Sequence, residues 1–274
     1  MTEGLQAIVL GRMPPQLVTT LRRGLAPGEN RVLDRHADLE VGLDFTLVQV
    51  AAGTTYTLSD PETEVALVVI AGAGELRVDD QRARFSRKSW IDENPAVAHG
   101  ARGARFEVHA DEACEVAVVA TANPAKFPSR VYTPADVPVE HRGKGMLGDT
   151  AYRLVRLAFD RKIAPPEAHL VLGEVVTLPG RWSSYPPHHH AQPEIYYYRF
   201  SPPQGYGHGE CGDEVYRLQE HDVLRITAGR DHAQVAAPGY HMYYLWAIRH
   251  LPGKPYDGFE YAPEHKHLLE GGPK

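Results

Sequence analysis

Short apolar runs broken by Gly, Pro and Asp set the pattern of this chain. Asp44–Ala51, Glu64–Ile70, Gly74–Val78, Arg105–Ala110, Glu115–Ala122, Leu170–Leu178, Glu194–Phe200, Asp222–Ile226 and His241–Arg249 are rich in Val, Ile, Leu and Tyr. Runs of this length and composition between turn residues are strands. Helix signals are few: Gln16–Gly24 after Pro14-Pro15, and Glu264–Leu269 after Pro263. The expected class is all-β with antiparallel strands and a few peripheral helices.

The pattern also repeats. Gly53-Thr-Thr-Tyr-Thr-Leu-Ser-Asp-Pro-Glu-Thr-Glu64 and the apolar run to Ile70 resemble Gly180-Arg-Trp-Ser-Ser-Tyr-Pro-Pro, Glu194 and the run to Phe200. Trp90–His99 aligns without a gap on Val223–His232. The offsets are 127 for the glycines, 130 for Glu64 and Glu194, and 133 for His99 and His232. Two copies of one β-module in tandem explain them. The expected organisation is an N-terminal β-barrel over 1–122, a proline-rich linker over 123–150 and a C-terminal barrel over 151–274.

Composition narrows the class of partner. The 274 residues carry 29 Lys and Arg against 35 Asp and Glu, a net charge of −6 with no dense basic block. Such a surface offers no footprint for nucleic acid. No apolar run is long enough for a membrane helix. The opening MTEGLQAIVLGRMPPQ lacks the basic start and long apolar core of a secretion signal, so a cytoplasmic location is expected. Cys114 and Cys211 are the only cysteines, which rules out a disulfide framework or a four-thiolate zinc site. Any metal must be held mainly by nitrogen and oxygen.

Candidate donors lie in the second module, where Pro186-Pro187-His188-His189-His190-Ala191-Gln192-Pro193-Glu194 has the order His-x-His-x3-Glu at the entrance to a strand. Alternate side chains of a strand share a face, so His188 and His190 point one way and His189 the other. A turn at Gln192-Pro193 returns Glu194 to that face. His232, after the turn glycine Gly229, is expected as the fourth donor. Three imidazoles and one carboxylate suit one divalent ion, with Zn2+ or Mn2+ expected first and Fe2+, Ni2+ or Co2+ also compatible. Such a set leaves a position open, as a catalytic site requires. An exposed histidine tract is the bland alternative, disfavoured by the proline pair before it and the β-forming Glu-Ile-Tyr-Tyr-Tyr-Arg-Phe after it. His99 is expected to be an ordinary hydrogen-bonded histidine, and the first module metal-free.

Tyr196 and Tyr198 share parity with Glu194 and, with Tyr244, are candidate catalytic phenols. Trp182, Arg199, Gln204 and Arg225 are candidate substrate contacts, with packing and salt bridging as the alternative. Cys211 with His208 is a weaker metal candidate, in a glycine-rich stretch that reads as a hairpin loop.

The His-x-His-x3-Glu and Gly-x2-His pair resembles the two cupin motifs, and the duplicated module resembles a bicupin, a tandem double-stranded β-helix. Gly180-Arg-Trp-Ser-Ser-Tyr-Pro-Pro-His-His-His, Glu194-Ile-Tyr-Tyr-Tyr-Arg-Phe, Pro203-Gln-Gly-Tyr-Gly and Ala236-Ala-Pro-Gly-Tyr-His-Met-Tyr-Tyr-Leu245 are similar to the 5-deoxy-glucuronate isomerase family of myo-inositol catabolism. The resemblance implies conversion of 5-deoxy-D-glucuronate to 5-dehydro-2-deoxy-D-gluconate, with His188, His190, Glu194 and His232 on one metal. Departures are Thr227 where cupins usually have proline, His221 where glycine is usual, and a loop to His232 one residue longer. A cupin Fe(II) dioxygenase, an isomerase of another sugar acid and a non-catalytic sugar binder are the competing functions. A small sugar acid is the expected partner, and a homo-oligomer is expected of tandem barrels with exposed sheet faces.

Overall fold

A computed structural model describes residues 17–21, 24–227 and 229–270. Antiparallel strands dominate and fall into three sheets. In the second half, a seven-stranded sheet runs in the order Val18–Thr20, Asp222–Ile226, Glu194–Ser201, His241–Arg249, Leu170–Thr177, Arg153–Phe159, Val139–Arg142. A five-stranded sheet runs in the order Glu214–Gln219, Tyr206–Cys211, His232–Ala236, Trp182–His189, Glu260–Tyr261. Tyr196, Tyr198, Phe200, Leu224, Met242 and Tyr244 are buried with Leu218 and Ala236 in one apolar cluster, joining these two sheets.

The first half is a nine-stranded sheet built on one long strand, Thr63–Val78. Two runs expected from sequence, Glu64–Ile70 and Gly74–Val78, are two ends of this single strand. It pairs first with Cys114–Ala122, then with Phe106–Ala110. The change of partner follows a register break between Val69 and Ala71, and glycines allow it. Gly72 has φ +114°, and a Cβ on Gly74 would lie 2.0 Å from the His109 carbonyl oxygen.

The halves pack through a shared core. Phe45 meets Tyr197 with ring centroids 5.4 Å apart, Trp90 meets Tyr243 at 5.3 Å, and Tyr132 meets Phe159 at 5.4 Å. On the strand Glu194–Ser201, Ile195 and Tyr197 join this shared core, while Tyr196 and Tyr198 join the interior of the second half. Period-two alternation therefore serves two cores at once, which is why the run is apolar on both faces.

The segment expected to be a linker carries strands of both halves. Arg130–Tyr132 pairs with Val97–Gly100, and Val139–Arg142 pairs with Arg153–Phe159. Its prolines punctuate short strands without freeing the chain. Where a helix was expected over Gln16–Gly24, Val18–Thr20 is a strand paired with Asp222–Leu224, far away in sequence. Gln16, Arg22 and Arg23 lie outside the described residues. An open sheet edge supplied hydrogen-bond partners and overrode a weak local signal. The C-terminal expectation fares better, as Pro263–Glu270 forms a 3-10 helix. No helix among the described residues is long and apolar enough to cross a membrane.

The alignment of the two similar stretches is out of register at the residues that matter. Glu64 belongs with Ala66 and Val68, which face the shared core; Val65, Leu67 and Val69 face the interior of the first half. Glu194 belongs with Tyr196 and Tyr198, which face the interior of the second half. A slip of one residue moves a strand's side chain to the opposite face. Glu64 and His99 thus meet at the junction of the halves, 2.8 Å apart. His99 stacks on Phe159 with centroids 4.2 Å apart. They are a structural pair, not the counterpart of Glu194 and His232.

Candidate metal centre

Three elements bring the donors together. His188 is on Trp182–His189 and lies in register with His232, the first residue of the neighbouring strand. Their rings stand 4.3 Å apart. His190 follows the end of its strand, where its carbonyl accepts a hydrogen bond from the Gly229 N–H at 2.9 Å. Glu194 opens the next strand, flanked in register by Ile226 and Ile248. The turn expected at Gln192-Pro193 is pinned by Gln192 Nε2 donating to the Lys254 carbonyl at 2.8 Å. His189 points away, as alternation requires, and meets Asp231 at 2.7 Å.

Donor atoms of His190, Glu194 and His232 lie within 4.8 Å of one another, and all three residues are buried. Glu194 Oε2 is 3.2 Å from His190 Nε2 and 3.5 Å from His232 Nε2. Metal–ligand bonds of about 2.0–2.2 Å place neighbouring donors about 3.0–3.5 Å apart. His188 stands outside this compact triple, against the His232 ring and lining the same cavity.

Hydrogen bonding fixes the imidazole tautomers. His232 Nδ1 donates to the Arg230 carbonyl at 3.1 Å, and His188 Nδ1 donates to the Ser184 carbonyl at 3.1 Å. A carbonyl can only accept, so Nε2 of each ring is the lone-pair nitrogen. Burial, with the neighbouring histidines, pushes both pKa values down to about 3. At neutral pH these rings are neutral, the state a ligand needs. His232 Nε2 and His190 Nδ1 are buried without a hydrogen-bond partner. At His232 the Nε2 lone pair is aimed at Glu194 Oε2 with no hydrogen between them, which is unfavourable unless a cation lies between, whereas His190 Nε2 hydrogen-bonds the same oxygen at 3.2 Å. This donor set fits a divalent ion.

A cavity of about 70 Å³, partly open to solvent, lies beside it. Tyr196 and Tyr244 line it, stacked with centroids 4.5 Å apart. Ser184 Oγ lies 3.2 Å from the Tyr196 hydroxyl and 3.1 Å from that of Tyr244. Ser184 holds a left-handed φ of +51°, a strained conformation for a residue with a side chain. Burial raises the pKa of both tyrosines, which are neutral phenols at working pH. Tyr198 is deeper and donates to Gln234 Oε1 at 2.7 Å, so it does not reach the cavity wall.

None of the four residues singled out for substrate lines this cavity. Arg199 lies on the opposite face of its strand, 2.5 Å from Glu115 and from Glu220. Arg225 pairs with Asp38 at 3.1 Å. Gln204 is exposed in a turn, and Trp182 packs on Tyr185. His208 is exposed beside Tyr206, whereas Cys211 is buried three residues away on the other face.

Arg142, Arg153, Tyr256 and Phe259 line the cavity in their place. Tyr256 packs on His190 and Phe259 on His188, at 5.0 and 4.2 Å between centroids. No motif flagged them. Arg142 lies in what reads as linker and Arg153 just past it, where no run reads as a strand, and Tyr256 and Phe259 lie in a proline- and glycine-rich stretch near the end.

The KduI/IolB family model matches residues 24–268. A 5-deoxy-glucuronate isomerase from Bacillus velezensis is 28% identical over 260 residues, covering 87% of this chain and 92% of that protein. The enzyme of the same name from Geobacillus kaustophilus is 27% identical, covering 89% and 93%. The crystal structure of an IolB-like protein from Salmonella typhimurium LT2 superposes with a TM-score of 0.80 at 25% identity, covering 92% of this chain and 99% of that one. Oxalate decarboxylase from Lactobacillus farciminis shares the fold at a TM-score of 0.68 and 12% identity, over 96% and 92% of the chains. With the family model spanning residues 24–268, and so both halves, the chain belongs to the KduI/IolB family.

Proposed function

We propose that this chain is a metal-dependent aldose-ketose isomerase converting 5-deoxy-D-glucuronate to 5-dehydro-2-deoxy-D-gluconate in myo-inositol catabolism, the activity class for which its relatives are named. The observation that carries this reading is the junction of His190, Glu194 and His232 beside the neutral phenols of Tyr196 and Tyr244. Glu194, His190 and His232, with His188 completing the set, would hold one divalent ion. Three nitrogens and one carboxylate suit Zn2+ or Mn2+, and equally Fe2+, Ni2+ or Co2+. When bound, such an ion would supply Lewis-acid stabilisation of negative charge developing on the substrate's C1 and C2 oxygens.

The chain's own groups orient the substrate and donate protons to its oxygens. Moving the carbonyl from C1 to C2 removes a proton from C2, returns one to C1 and shifts the hydroxyl proton between the two oxygens. Tyr196 and Tyr244 hold their protons and donate to those oxygens, and Ser184 between them fixes both hydroxyls. Tyr256 and Phe259 cover the histidine rings and keep the cavity dry around them. The reaction is redox-neutral and needs no oxygen.

The test is turnover of 5-deoxy-D-glucuronate by metal-loaded protein in deuterium oxide without oxygen. Formation of the ketone with solvent deuterium at the product's C6 supports the isomerase. Metal-loaded protein that turns the substrate over only when oxygen is supplied would overturn it in favour of a dioxygenase.

A further inference from the structure

Three arginines are buried among the described residues: Arg87, Arg153 and Arg156. Arg87 and Arg156 share Glu174, at 2.5 and 2.9 Å, on the face toward the first half. Arg153 is on the other face, 7% exposed, and lines the cavity beside the candidate metal donors. Its Nη1 donates to the Ala151 carbonyl at 2.9 Å, and no carboxylate of the described residues lies within 4.0 Å of it. A buried cation without a counter-charge is costly.

A second feature compounds that cost. Arg142 is the direct register partner of Arg153 across two antiparallel strands and lines the same cavity. Like charges opposite each other destabilise a sheet. Arg142 is nearer solvent, its side chain 41% exposed, and is held by Glu140 at 2.6 and 2.9 Å. The backbone is shaped around the inner arginine as well: a Cβ on Gly143, at φ +74°, would lie 2.5 Å from the Ala151 carbonyl oxygen and 3.1 Å from Arg153 Nη1. Local stability explains neither the unpaired burial nor the facing pair. A bound anion explains both, since a guanidinium fork matches a carboxylate.

We infer that Arg153, with Arg142 at the rim, is the anchor for the carboxylate of a sugar-acid substrate and sets the preference for an acid over a neutral sugar. The assignment rests on the isomerase reading for what the anchored molecule becomes. Anchored at its C6 end by Arg153, the acid turns its C1 end toward His190 and Glu194, which line the same cavity. Arg153 is therefore a specificity-determining residue that leaves the phenols and the metal donors to act on the other end.

The experiment compares 5-deoxy-D-glucuronate with the same sugar carrying a hydroxymethyl group in place of the carboxylate, on metal-loaded protein. Arg153→Met is expected to lower the acid-over-neutral ratio of kcat/KM on the order of 100-fold. Arg153→Lys, which keeps the charge without the fork, should recover part of it, and Arg142→Gln should lower the ratio by about tenfold. An unchanged ratio in Arg153→Met with metal retained overturns the proposal. If the wild-type chain turns over neither sugar, the isomerase reading fails and the anchor is judged by thermal stability. Stabilisation by the acid alone, lost in Arg153→Met, supports it; equal stabilisation of wild type and Arg153→Met overturns it.

Discussion

His232 Nε2 and Glu194 Oε2 face each other across 3.5 Å, each buried, with the imidazole hydrogen engaged on the far side by the Arg230 carbonyl. Two acceptors held this way are an arrangement prepared for a cation. Metal content is therefore expected at about one divalent ion per chain and near zero in His232→Ala and His190→Ala. At a free metal concentration 100 times its dissociation constant, the ion should add about 2.7 kcal/mol to the wild type. Equilibrium dialysis with metal analysis, and urea unfolding with and without chelator, check both points; the chelator should leave His232→Ala unmoved.

The three tyrosines of the strand face and its neighbour should separate by function. Tyr244→Phe and Tyr196→Phe remove a hydroxyl held by Ser184 in the cavity, and each should lower kcat on the order of 100-fold with KM little changed. Tyr198→Phe leaves Gln234 without its donor at a buried site. It should cost about 1–2 kcal/mol of stability and little activity. Steady-state kinetics and denaturant midpoints on the three variants decide the division.

Arg199 should behave as a structural residue. Glu115 and Glu220 lie 2.5 Å from its guanidinium, and Tyr197 also donates to Glu115 at 3.0 Å. Arg199→Gln should destabilise the fold by about 2 kcal/mol with KM for the acid substrate unchanged. A raised KM at unchanged stability would return Arg199 to the substrate contacts.

Acid sensitivity should trace to Glu64. Burial raises its pKa, but the hydrogen bonds from His99 and Asn123 and from the His169 N–H outweigh it, and the carboxyl is held below its ordinary 4.5. A carboxyl depressed in the folded state stabilises fully above its unfolded pKa, and the contribution is lost as pH falls from there through the folded value. The stability difference between wild type and Glu64→Gln should thus be constant near neutrality and shrink below about pH 4.5. Because Glu64 also accepts from the Leu170 N–H at 3.0 Å, Glu64→Gln should loosen the junction of the halves, at a cost of about 3 kcal/mol at pH 7. Urea midpoints measured from pH 7 to pH 3.5 read both effects.

The sequence by itself determined the all-β class and the long central strands of both halves, and it singled out His188, His190, Glu194 and His232 as candidate donors. Those features are local: strands announce themselves by composition and punctuation, and His188, His190 and Glu194 lie within seven residues of one another. Tertiary structure decided what depends on pairing between distant segments. It put Glu64 on the opposite face from Glu194, because a register differing by one residue is invisible in a loose alignment and reverses every side chain. It drew Val18–Thr20 and the proline-rich 123–150 segment into sheets, because an unpaired strand edge satisfies backbone groups that local propensity ignores. Above all it set Arg153 in the cavity and Arg199 outside it. Both are arginines on apolar strands, and only the position of Glu174, Glu115 and Glu220 in three dimensions decides which guanidinium has a carboxylate partner and which is left facing the cavity.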